Sequence, residues 1–187
     1  MLISDAQREM RTAFLGGFVG QLLAGLIWAL SAAVSTWAAP TYGMAVLFFV
    51  SMLLFPLIQL VLRLIGRPAR LSEGNALEQL ATQIAFTVPI GFILVGAATL
   101  YRQLWFYPAS MIVVGAHYLP FVFLYGMWQF GLLAGVLITG GVMLGLYGSS
   151  IFSLGGWLSA IVFVGFAFLG RSVVLREEHR GRRTAIC

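Results

Sequence analysis

Apolar residues run through this sequence in continuous blocks. Residues 12–62, 79–101 and 103–170 contain no Asp, Glu, Lys or Arg. One helical crossing of a bilayer takes about 20 apolar residues, so the blocks accommodate about two, one and three crossings with short turns. A membrane-spanning barrel would instead show alternating segments of about ten residues. The predicted fold is all-α: a polytopic bundle of six transmembrane helices forming a single integral membrane domain over residues 1–187.

Breaks in the blocks place the spans at approximately 12–38, 42–65, 77–100, 108–126, 130–147 and 152–171. Ser4-Asp5-Ala6-Gln7 has the spacing of a capping box and predicts a short interfacial helix before the first span. Pro40, between Trp37 and Tyr42, marks a tight turn at a membrane surface. Residues 66–74 combine Gly, Pro and charge, the strongest loop signal in the chain. Asn75 with Glu78 predicts a capped start for the third helix, and Pro108 a first turn for the fourth. Met127-Trp128-Gln129 and Gly148-Ser149-Ser150 delimit the fifth. The apolar stretch from Ala13 to Trp37 exceeds the 7–15 residues of a secretory signal core. Acidic Asp5 and Glu9 accompany Arg8 and Arg11 before it, so it reads as a retained span. Residues 172–187 form a polar, Arg-rich tail, expected to be mobile. The two halves show no repeat, which leaves an inverted-repeat transporter without support.

Composition adds orientation. The 187 residues are 60% hydrophobic and 9% charged, with a mean hydropathy of +0.97. Soluble domains carry about 25% charged residues. The net charge of +5 comes from eleven Arg and no Lys. Arg8, Arg11, Arg63, Arg67, Arg70, Arg171, Arg176, Arg180, Arg182 and Arg183 fall on one side of a six-span layout, and Arg102 alone on the other. The positive-inside rule then makes both termini cytoplasmic in a multipass protein of the cell membrane. The basic excess reads as topology and not as nucleic-acid binding. The tail arginines either touch anionic lipid, at about 1 kcal/mol each at most, or serve only as the topology signal. A single cysteine, Cys187, excludes internal disulfides and CxxC sites, and as the last residue it forms no prenylation box.

Candidate chemistry is sparse. No carboxylate or guanidinium lies mid-span, which argues against proton-coupled transport and charge-lined pores. His117 is the only ionisable side chain other than Tyr near the middle of a span. It either meets a ligand or is a neutral packing residue bonded to a neighbouring helix. Pro56, Pro89 and Pro120 each remove a helical hydrogen bond, leaving the carbonyls of Met52, Ala85 and Ala116 without that partner. Asn75, Gln79, Gln83 and Thr87 recur every fourth residue, one polar stripe on the third helix. With Gln59 and Arg63 on the second helix, they outline a polar inlet between helices 2, 3 and 4, closed by His117 and Tyr118. The opposing reading is that the prolines are merely tolerated and the stripe faces the headgroups. Gly16-xxx-Gly20-xxx-Ala24, Gly131-xxx-Gly135 and Gly141-xxx-Gly145 permit close helix approach, within the chain or in a homo-oligomer. No set of nucleophile, base and metal ligands converges, so the sequence assembles no catalytic site, metal site or cofactor site.

The stretch Gly115-Ala-His-Tyr-Leu-Pro-Phe-Val-Phe-Leu-Tyr125, with the six-span layout and the length, resembles a family of small, uncharacterised bacterial integral membrane proteins. The resemblance draws His117, Pro120 and Tyr125 together as a unit and implies no activity, ligand or cofactor. Two functions stay open. One is binding or passage of a small neutral or weakly polar molecule between helices 2–4, lined by Gln59, Gln83, Thr87, His117, Tyr118, Pro120 and Tyr125. The other is a non-transporting subunit or regulatory module whose partner is a protein.

Overall fold

The computed structural model describes residues 2–68, 70–148 and 150–184, and these residues contain helices and no strand. Nine α-helices follow in order: α1 (Ile3–Ala13), α2 (Phe18–Trp37), α3 (Pro40–Met52), α4 (Leu54–Leu64), α5 (Ala76–Ala85), α6 (Thr87–Tyr101), α7 (Phe106–Tyr125), α8 (Gln129–Tyr147) and α9 (Leu154–Thr184). Five stretches are long and apolar enough to cross a membrane: Leu15–Trp37, Ala76–Tyr101, Gln103–Tyr125, Gln129–Tyr147 and Leu154–Glu177. Helices α3 and α4 supply a sixth when counted as one span bent by 55°.

The three prolines act to different degrees. Pro56 lies in the first turn of α4, just past the bend at Leu53. Pro89 lies in the first turn of α6, after the interruption at Phe86. Pro120 sits inside an uninterrupted α7, so the break expected near Ala116 does not occur. A missing N–H alone therefore does not part a helix that is packed along its length, as α7 is against α8.

The short helix expected before the first span is α1, set apart by Leu15, Gly16 and Gly17, all at positive φ. Gly16 is required here, because a Cβ would lie 2.8 Å from Val174 and 3.1 Å from the Gly170 carbonyl. Helix α1 starts one residue before Ser4, with no side-chain cap, so the Ser4–Gln7 capping box is not used. Its acidic first-turn residue, Asp5, complements the helix dipole instead. The expected tail from residue 172 is a direct continuation of α9 to Thr184. Its Arg and Glu residues are good helix formers, and Arg171 lies 5.1 Å over the Phe18 ring. Residues 185–187, including Cys187, lie outside the described residues, as do Met1, Ala69 and Ser149.

Helix α2 packs chiefly on α9 and α3, and α7 chiefly on α8. Rings from these helices fill the interior: Trp28 and Tyr118 both meet Phe163, Tyr118 stacks on Phe130, and Tyr125 lies 4.9 Å from Phe130. The glycine stripes serve this packing. Gly20 faces Ile58, and Gly141 faces Ile112 and the Pro108 carbonyl, while Gly135 meets open space. Arg11 of α1 pairs with Glu177 of α9 at 3.0 Å, which brings the two terminal helices to one end of the bundle. The α4–α5 loop and the α7–α8 turn come to that end as well, through Glu9–Ser72 and Arg11–Tyr125 contacts.

A histidine–threonine pair beside two interrupted spans

Helix α5 begins at the Asn75 N-cap, whose side chain accepts from the Leu77 N–H at 3.0 Å. Its buried strip, Leu77 and Ile84, faces the bundle, and Gln79, Gln83 and Thr87 are exposed. The stretch Ala76–Tyr101 is 26 residues long, about 39 Å at 1.5 Å per residue, against a hydrocarbon core of about 30 Å. Thr87 lies near the middle of this stretch, and Gln83 about one turn before it.

The Thr87 hydroxyl donates to the Ile84 carbonyl at 2.7 Å and lies 3.0 Å from His117 Nδ1 on α7. A hydroxyl has one proton, and here the carbonyl takes it. The His117 ring also hydrogen-bonds the Ile84 backbone, so ring, hydroxyl and carbonyl meet at one point between the two spans. His117 is half-buried, edge-on to Tyr118 and tilted against Phe121.

Around this pair the two interrupted spans rest on different helices. In one half of the bundle α3 and α6 meet, through Phe48 and Phe92 rings 5.9 Å apart. Beyond the 55° bend α4 leans on α2, with Ile58, Val61 and Leu62 against Val19 and Leu23, whereas α5 packs on α7 and α1.

Of the residues proposed from sequence, His117 and Thr87 are bonded, and Gln83 stands four residues before Thr87, on α5, across the interruption at Phe86. Gln59 is half-buried on α4 and makes no hydrogen bond with them. Tyr118 and Tyr125 are buried in the aromatic interior, and Pro120 is exposed on α7. An apolar groove of about 230 Å³ between α7 and α8, lined by Trp105, Ile112, Gly141 and Gly145 among others, contains none of the proposed residues. No group of three or more His, Cys, Asp or Glu converges among the described residues.

Two polar assemblies escaped the sequence reading. In the first, Ser31 donates to the Gly43 carbonyl at 2.8 Å, so the Tyr107 hydroxyl donates to Ser31 at 2.6 Å and Ser35 donates to Tyr107 at 2.9 Å. All three side chains are buried. The spacing of Ser31 and Ser35 on one face of α2 is the only trace of this in the sequence. In the second, α1 closes the end that carries the termini. Arg11 donates to the Tyr125 carbonyl at 2.7 Å and Gln7 to that of Phe123, serving carbonyls at the C-terminus of α7. Glu9 accepts from the Ser72 N–H, the Ser72 hydroxyl and the Asn75 amide. The Ser72 N–H, followed by the Asn75 amide, holds the Glu9 carboxyl below its ordinary value.

Neither a curated protein nor a solved structure matches the chain. A family model does match, over residues 3–172, from the first residue of the closing helix to the point where α9 leaves the apolar stretch. The chain belongs to a family of unknown function (DUF7010).

Proposed function

We propose that this chain is a multipass membrane protein that binds a small neutral or weakly polar molecule where the α3–α4 and α5–α6 spans part, beside His117 and Thr87. The observation carrying this reading is the exposure of Gln83 and Thr87 at hydrocarbon depth. A primary amide facing lipid costs several kcal/mol, so a polar occupant on that face is strongly favoured over acyl chains. The bend at Leu53 supports it, because it draws α4 towards α2 and away from α5. The absence of charge from the middle of the spans favours an uncharged occupant.

The end carrying both termini faces the cytoplasm in this reading, with Arg8, Arg11, Arg63, Arg67 and Arg70 beside it and Arg102 opposite. In intact cells, an impermeant thiol reagent should label Gln103→Cys and spare Arg70→Cys. The reverse pattern would turn the molecule over. For binding, the full chain in lipid nanodiscs should be thermally stabilised by neutral solutes of a mixed panel and not by charged ones. Gln83→Leu should abolish the stabilisation. Solutes that stabilise Gln83→Leu as well as the native chain would place binding elsewhere.

A second reading, a non-transporting module that docks another membrane protein, draws on the ring-filled interior and the open face at Gly135 of α8. Site-specific crosslinking from Leu132 and Thr139 that captures one defined partner would favour it.

A further inference from the structure

We infer that α1 is a releasable strap. Docked, it ties the α4–α5 loop to α7 and α9; it lifts as one piece onto the bilayer surface and leaves the start of α5 untied. The inference goes beyond the binding reading and does not depend on it.

One edge of α1 holds the loop. Arg67 donates to the Thr12 carbonyl at 3.3 Å, Glu9 accepts from Ser72 and Asn75, and the Asn75 amide also donates to the Ala6 carbonyl at 3.4 Å. The other edge holds the two long helices, through Gln7 to the Phe123 carbonyl and through Arg11 to the Tyr125 carbonyl and Glu177. Asn75 is the N-cap of α5, and α5 packs on α7 and α1. With α1 lifted, α5 rests chiefly on α7.

The docking is built to be reversible. Its buried stripe of Ala6, Met10 and Ala13 is small, since two alanines and a methionine remove little apolar area from water. The rest of the hold is polar and close to water, with Glu177 51% exposed, and such contacts exchange for hydration at small net cost. Leu15 adds strain: its φ of +50° is a left-handed conformation that a residue with a Cβ adopts at a cost. Release lets it return to the right-handed region. Gly16 stays seated on Gly170 and Val174 of α9, which puts the pivot at Phe14 and Leu15. The lifted helix also has somewhere to go. Ile3, 60% exposed, extends the stripe of Ala6, Met10 and Ala13, and a lipid surface accepts the whole amphipathic face.

The test follows two reporters in the full chain in nanodiscs, with Cys187→Ser in every variant. One is the rate at which N-ethylmaleimide labels Ala6→Cys on the buried stripe, set against Arg8→Cys on the exposed face. The other is hydrogen exchange at the Ser72 amide, which α1 protects through Glu9. A lifted state populated at about 0.1–10% makes Ala6→Cys about 10–1,000-fold slower than Arg8→Cys. Arg11→Ala removes the hold on α7 and α9, and Arg11 has no bond to Ser72. It should raise both rates about tenfold, the equivalent of about 1.4 kcal/mol for a charged hydrogen bond, and leave Arg8→Cys unchanged. Gln7→Ala, on the same edge, should raise both about threefold and serves if Arg11→Ala does not fold. An Ala6→Cys thiol that reacts no faster than the whole chain unfolds would overturn the inference. So would edge variants that raise neither rate, or that raise the labelling without the Ser72 exchange, since the helix would then fray and not lift. Neither reporter needs a ligand, so the strap and the binding reading stand or fall separately.

Discussion

Around Tyr107 every hydroxyl proton has a destination: Ser35 donates to Tyr107, Tyr107 to Ser31, and Ser31 to the Gly43 carbonyl. Around His117 the ring, the Thr87 hydroxyl and the Ile84 carbonyl share one contact across the interruption between α5 and α6. Both assemblies join helices within the spans, yet the first is wholly enclosed and the second opens beside an exposed stripe. A closed donor chain in a low-dielectric interior fixes helix positions and has nothing to offer a visitor. An open one holds its helices less tightly and can exchange a partner for a visitor. The tyrosine cluster therefore reads as framework and the histidine pair as site.

The largest test of that contrast is Gly43→Ala. The added Cβ would fall on Ser35 Oγ and within 2.6 Å of the Ser31 carbonyl, and backbone cannot yield cheaply. A loss of about 3 kcal/mol is expected, read as a fall in thermal midpoint in detergent. Gly135→Ala, which adds a Cβ into open space, should stay within about 0.5 kcal/mol by the same measure. Tyr107→Phe comes next, at about 1–2 kcal/mol, because Ser35 loses its acceptor in a dry interior. Thr87→Val should cost less than about 1 kcal/mol, since the half-exposed His117 can find a substitute partner. A Thr87→Val penalty exceeding that of Tyr107→Phe would reverse the assignment of framework and site.

The smallest effect concerns Glu9. Its carboxyl titrates below the ordinary value of 4.5 because Ser72 and Asn75 donate to the charged form. Its contribution is whole above that value and is lost as the pH falls through the lowered one. The native chain should therefore exceed Glu9→Gln in thermal midpoint at pH 7, and the gap should close on acidification below the ordinary carboxylate range. A gap that persists at pH 2 would show that the carboxylate's charge does not matter to the dock.

The spans were legible because burial in lipid demands unbroken apolar runs, and only charge and turn residues interrupt them. The breaks inside them were less so. Gly16 and Gly17 look like a packing stripe in sequence, and Leu53 carries no turn signature at all. Thr87 as a neighbour of His117 followed from the four-residue spacing on one helix and the depth of both residues. Tyr107 did not follow, because its partners lie more than 70 positions away and no local pattern marks the pairing. Arg11 had been counted only as a topology charge, whereas its position at the end of α7 depends on where the α7–α8 turn comes to rest.

Helix α1 is made before the partners it docks on and can dock only late. Its partners are Ser72 and Asn75, then the carbonyls of Phe123 and Tyr125, then Glu177, 166 residues further on. At about 5–20 residues per second, synthesis takes on the order of ten seconds to deliver the last of them. During that interval the helix has no bundle to close and must wait, its buried-to-be face of Ala6, Met10 and Ala13 resting at the bilayer surface. The order of manufacture thus makes its docking a completion step: the end of the bundle is sealed only when every span is in place.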